Sequence, residues 1–132
     1  MDSSSKYKIL RIYLSNTDKI KHTSVYEAIA FKAKKYGMAG ATVYKGIMGY
    51  GASSELTPIR FWELTEKVPV IVEIVDEENK IRSFIEKIRP WLDLIPKGCL
   101  ITCHDTEVLL LKKGKKHNVR RCMKIKLLCI YD

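Results

Sequence analysis

The chain has 132 residues, 46% of them apolar and 30% charged, with a formal net charge of +9. That composition belongs to a single globular domain able to bury roughly two thirds of the surface its unfolded form exposes. No apolar run approaches the roughly 20 residues that cross a bilayer, and the opening "MDSSSKYK" has no hydrophobic signal region, so a cytoplasmic protein with reduced thiols is expected.

Residues 7–14, "YKILRIYL", alternate. Leu10, Ile12 and Leu14 share one face, Arg11 and Tyr13 the other, which predicts a first strand. "HTSVYEAIAFKAKKYG" follows as a helix. Ser24 is its N-cap, with Glu27 completing a capping box. Val25, Ile29, Ala33 and Tyr36 form its apolar stripe, and Gly37 is its stop. Ala41–Lys45 is a second strand. Residues 68–75, "VPVIVEIV", are a third, with Pro69 near the start where a missing donor is tolerated.

A second helix is capped by Asp76 and carries Ile81, Phe84, Ile85, Ile88, Leu92 and Ile95 on one side. Pro90 predicts a kink or break near Arg89, and Pro96 an end. "GCLITC" is a fourth strand. "TEVLLLKK" reads as a fifth, and "CMKIKLLCIY" is apolar enough for another. The order β-α-β-β-α-β, plus a C-terminal strand, is the α+β ferredoxin-like sandwich, with two helices on one face of an antiparallel sheet.

In that arrangement the first and third strands are central neighbours. Their apolar faces meet the helices, so Arg11 and Glu73 pair on the helix-free face among Ile9, Tyr13, Ile71 and Val75. Such a face is too apolar to leave in water, which implies association with another copy.

The second strand runs into "GIMGYGASS", three glycines and two serines without a charge. Glycine amides can converge on an anion because no side chain blocks the approach. Ser53 and Ser54 add hydroxyls, Lys97 or Lys112 a charge, and Tyr50 a stacking face. The competing reading is a plain hairpin extension. No P-loop pattern is present.

"GATVYKGIMGYGASS" resembles the strand and long loop of the PII signalling proteins. The stretches "LRIYL", "AGATVYKGIMGYGASSELT" and "LTEKVPVIVEIVDEENKIRSFI" are more similar still to a domain-of-unknown-function family, numbered 190, grouped with them as PII-like. The resemblance implies a homotrimer with the sheets at its centre. It implies an adenine nucleotide or related anion bound between subunits near the loop base, and a loop that docks on a membrane transporter or enzyme. Neither catalysis nor a cofactor is needed for that role. Carried over residue by residue, Gly46, Gly49, Tyr50 and Gly51 match the loop start. Lys112 matches one basic phosphate contact, while Leu110 stands at the other. Lys97 and Gly98 replace the glycine-rich loop before the fourth strand. The organisation expected is a PII-like domain over 1–114, with its extended loop at 46–67, and a basic extension over 115–132.

Residues 112–126 hold lysines and arginines without an acid and supply nearly all the net charge. This tail suggests an alternative function on nucleic acid, although the interleaved aromatics of a base-stacking surface are missing. A divalent-metal-binding trimer is a further alternative. Cys99, Cys103 and His104 would be its ligands, but the cysteine spacing favours small buried hydrophobes. The histidines have no nucleophile partner, so no catalytic residue is assigned.

Overall fold

The computed structural model describes residues 5–51 and 67–114. Their elements are β1 (Tyr7–Ser15), β2 (Lys19–Ile20), β3 (Thr23–Ser24), α1 (Val25–Lys35), β4 (Ala41–Lys45), β5 (Pro69–Glu77), α2 (Glu78–Leu92) and β6 (Leu100–Thr106). Four strands form one antiparallel sheet in the order β4-β5-β1-β6. This is the ferredoxin-like order expected, with β1 and β5 at the centre.

Alternation decides the two faces. In β1 and β5 every second residue is buried. Leu10, Ile12, Leu14, Val72 and Ile74 lie under Val25, Ile29 and Ala33 of α1 and Ile81, Phe84, Ile88 and Leu92 of α2 in one core. Ile95 closes it beyond the end of α2. Burying side chains of this size stabilises by about 1.5–3 kcal/mol each before chain entropy is counted. Tyr36, expected on the apolar stripe, instead caps α1 and is 38% exposed.

Three local expectations are corrected. Ser24 is the N-cap of α1 but makes no side-chain cap bond. It lies in β3 opposite Lys19, and the Val25 amide donates to the Asp18 carbonyl at 2.9 Å instead. Asp76 is not the cap of α2; Glu77 is. Asp76 is buried, and its carboxylate accepts the amides of Ala39 and Glu77 at 2.9 and 2.8 Å. It thereby fastens the α1–β4 turn to the start of α2. Pro90 does not break the helix, which runs on to Leu92. It sits in the last turn, where few later carbonyl bonds remain to be lost, and Asp93 still donates to Arg89 at 3.0 Å.

Gly37 ends α1 as expected, at a φ of 77°, a left-handed cap that glycine adopts without a steric penalty. β2 and β3 form a small hairpin that the sequence pattern had placed partly in the helix. Its two turn residues, Lys21 and His22, have φ of 49° and 70°, the double left-handed geometry that matches strand twist. At the other end of the chain, β6 takes the "LITC" of the fourth expected strand and continues through Thr106. Residues 107–114 carry no strand. The extension at 115–132, with Cys122 and Cys129, lies outside the described residues.

Cys99 and Cys103 are free and exposed rather than core residues. β6 is an edge strand. Ile101 still packs on the core, but Cys103 lies opposite Leu10 where helix cover has run out.

Replacing Asp76 with alanine leaves two backbone amides without their acceptor. Asp76→Ala is expected to lower unfolding free energy by about 1–3 kcal/mol in urea titration, and Asp76→Asn, which keeps one acceptor, by less.

Candidate functional site

One end of the sheet gathers four chain segments. Ser15 pairs with Pro69, and Lys45 with Val70, so the end of β1, the end of β4 and the start of β5 meet there. Leu100 pairs with Tyr13, which brings the α2–β6 connection, with Lys97 and Gly98, to the same end. The turn after β1 is clamped onto the returning loop. Asn16 donates its amide to the Val68 carbonyl at 3.1 Å, and its side-chain oxygen accepts the Val68 amide at 2.9 Å. Asp18 is buried and accepts the Ser15 amide at 2.9 Å.

The glycine stretch starts by wrapping over Pro69. The Gly46 amide donates to the Pro69 carbonyl at 2.7 Å. A β-carbon on Gly46 would stand 2.7 Å from Cγ of Pro69, and one on Gly49 would stand 3.3 Å from it. Close packing on the ring therefore leaves no room for a side chain at position 46 and makes one at position 49 tight. Among the described residues nothing stands within 4 Å of a β-carbon on Gly51. Ile47, Met48 and Tyr50 project outward, 95%, 65% and 72% exposed. Ser53 and Ser54, like most of the loop at 46–67, lie outside the described residues.

The charge at this end comes from two lysines. The side chain of Lys67, the residue before Val68, lies near that of Lys97, and both residues are exposed. That neighbour, with some desolvation, pulls the Lys67 ammonium below its ordinary pKa, while Asp18 pulls the other way. Two neighbouring ammonium groups can share an anion. Burial pushes the Cys99 thiol up, and the Asp18 and Asp93 carboxylates add to the shift. Sequence reasoning found Lys97 but missed Lys67 and Asp18. Only the strand register across Pro69, which the fold supplies, brings them to this end of the sheet.

Lys112 is not gathered here within one chain. It follows Thr106, which pairs with Tyr7 at the opposite end of the sheet. The segment that carries it is apolar and exposed, with Leu109 at 85%, Leu110 at 78% and Leu111 at 50%.

The helix-free face bears out the expected pair. Arg11 and Glu73 are in register, and Nε of Arg11 donates to Oε2 of Glu73 at 2.8 Å. The Tyr44 hydroxyl donates to the same oxygen at 3.2 Å. Arg11 holds the Glu73 carboxyl below its ordinary range, assisted by Tyr44 and opposed by desolvation. Around this network Ile9, Tyr13, Ile71 and Val75 are half-buried without helix cover. Tyr44 and Leu100 extend the patch, 40% and 57% exposed. Among the described residues no group of three or more His, Cys, Asp or Glu side chains is placed to hold a metal ion. No described helix is long and apolar enough to cross a membrane.

The fold and the site define a ferredoxin-like α+β protein in which a long connection joins β4 to β5, with lysines at its base. The chain belongs to the DUF190 family, described as "Uncharacterized ACR", and matches it over residues 7–108. It is 38% identical to a UPF0166 protein of Aquifex aeolicus over 106 residues, covering 80% of this chain and 96% of that one. It is also 38% identical to a UPF0166 protein of Methanocaldococcus jannaschii over 103 residues, covering 78% and 92%. Among solved structures it resembles CPII from Thiomonas intermedia K12 bound to ADP, AMP and acetate. The TM-score is 0.56 and the identity 15%, with 79% of this chain and 89% of that one covered. CPII bound to ADP and bicarbonate gives a TM-score of 0.57 at 17% identity, covering 78% and 88%. At such identity the likeness is one of fold.

Two outcomes follow. Gly46→Ala is expected to cost about 1–3 kcal/mol and to speed hydrogen exchange of the amide at position 46, whereas Gly51→Ala leaves both unchanged. Glu73 has a folded pKa below its ordinary 4.5. Its contribution to stability is therefore full above about pH 4.5 and lost as pH falls through the lower folded value. Glu73→Gln should flatten the acid limb of a thermal-unfolding profile below about pH 5.

Proposed function

We propose that the protein is a non-enzymatic, cytoplasmic, homotrimeric PII-like regulator. It takes an anionic effector, an adenine nucleotide or a related oxyanion, at the loop base, and it docks a transporter or enzyme through the arm at 46–67. The observation that carries the reading is the meeting of Lys67 and Lys97 at the base of that arm.

Three arguments support it. Lys67 lies two residues before Pro69, against which Gly46 and Gly49 keep the backbone close. The helix-free face presents Ile71, Val75, Tyr44 and Leu100 around a partnered Arg11, an apolar patch with a charged centre that suits burial against other copies. In a trimer built on that face, the exposed leucines before Lys112 have a neighbouring sheet to cover, and Lys112 travels with them towards the neighbour's loop base. The effector class follows from the lysines and is consistent with CPII, a PII-like protein of the same fold that binds ADP and bicarbonate.

The test combines native mass spectrometry with thermal unfolding in ADP, ATP, AMP, phosphate and bicarbonate. Three copies are expected, together with stabilisation by at least one anion. A ligand at a hundred times its Kd contributes about 2.7 kcal/mol. Lys67→Ala and Lys97→Ala should each weaken the response about tenfold, as loss of one charge-assisted contact does. A monomer at high concentration, or a flat response to the whole panel, overturns the proposal.

A further inference from the structure

We propose that the cleft between the two helices is a docking site for an acidic peptide segment of a partner protein, one that carries a single apolar anchor side chain. The cleft lies between the C-terminal end of α1 and the first turns of α2 and holds about 230 Å³. Small-molecule sites usually have about 300–1,000 Å³, so this volume suits one side chain better than a nucleotide.

Its floor is apolar. Phe84 is 1% exposed, the Tyr36 ring stands edge-on to it at 6.2 Å between centroids, and Met38 completes the wall. Its rim is polar and cationic. Asn79, Lys80, Ser83 and Lys87 project from one side of α2, and among the described residues no carboxylate lines the cleft. The ammonium of Lys87 sits 4.9 Å from the centre of the Tyr36 ring, and that of Lys80 lies 3.4 Å from the Gly37 carbonyl. Both charges are thus held at the mouth. Glu78, an acid at the start of α2, is already engaged by Arg82 at 3.0 Å and Lys8 at 3.9 Å.

An apolar floor under a rim of one sign selects its occupant by charge and by shape. Carboxylates meet Lys80 and Lys87, a buried phenylalanine or leucine fills the floor, and the Asn79 and Ser83 side chains serve the peptide backbone. An anionic membrane suits this surface less well, because the apolar groups are recessed below the lysines rather than raised above them. The cleft is on the helix side of the domain, so covering the opposite sheet face does not itself close it. The inference does not depend on the loop-base site.

Fluorescence polarisation tests it with a labelled heptapeptide of glutamates around a central phenylalanine. Saturable, salt-sensitive binding is expected. It should weaken about tenfold in Lys80→Glu/Lys87→Glu. It should weaken as much in Ser83→Trp, which fills the cleft without changing its charge. A central glycine in the peptide should reduce binding at least about fivefold. Equal binding of the glycine peptide, or binding that both variants leave intact, overturns the proposal. So does a failure of the phenylalanine peptide to bind while vesicles containing phosphatidylserine do.

Discussion

The antiparallel register of β1 against β5 is the constraint on which the rest depends. It sets Leu10 opposite Ile74 and Ile12 opposite Val72, both pairs under the helices, and so it sets Arg11 opposite Glu73 on the other side. A slip of one residue would carry Arg11 and Glu73 into the core and the core residues to the surface. The ion pair therefore resists misregistration more than it adds net stability, since its partners are about a third exposed and a quarter exposed and each remains partly hydrated. The same register brings Ser15 to Pro69 and fixes where the long loop leaves and returns.

The strands and the second helix were legible because burial imposes a period on the chain. "YKILRIYL" and "VPVIVEIV" show alternation, and the α2 stripe from Ile81 to Ile95 is buried as its spacing implied, with Ile85 packed at the margin. Capping was less legible because several groups compete for each helix end. Ser24 has the right chemistry for a capping box, yet the Asp18 carbonyl takes the first amide once β2 and β3 pair. Asp76 has the chemistry of a cap, yet its carboxylate also reaches Ala39, a contact set by tertiary packing. The exposure of Cys99 and Cys103 follows from β6 lying at the sheet edge, and no local property of the two cysteines reveals an edge.

At the loop base, residue type suggested a ligand where geometry first shows packing. Gly46 and Gly49 are small because Pro69 stands against them. This does not remove the anion reading; it moves its weight from the glycines to the lysines. Lys67 gives no sign in the sequence. It precedes a strand in a chain rich in lysine, and its meaning depends on a partner far along the chain, Lys97, reached only through the fold.

That arrangement also indicates how occupancy of the base would be felt in the loop. Lys67 is joined through Val68 to Pro69, and Pro69 holds Gly46 by a hydrogen bond and by contact with its ring. Val68 is in turn clamped to Asn16 at both its amide and its carbonyl. Lys67 therefore adjoins a short, braced length of chain that carries both the departing and the returning arms. An anion that neutralises the pair changes the force on that length without needing to touch the loop beyond it. A ligand shifts a conformational balance only through a difference in its interaction with the two states. Here the difference is the distance the two lysines can keep from each other.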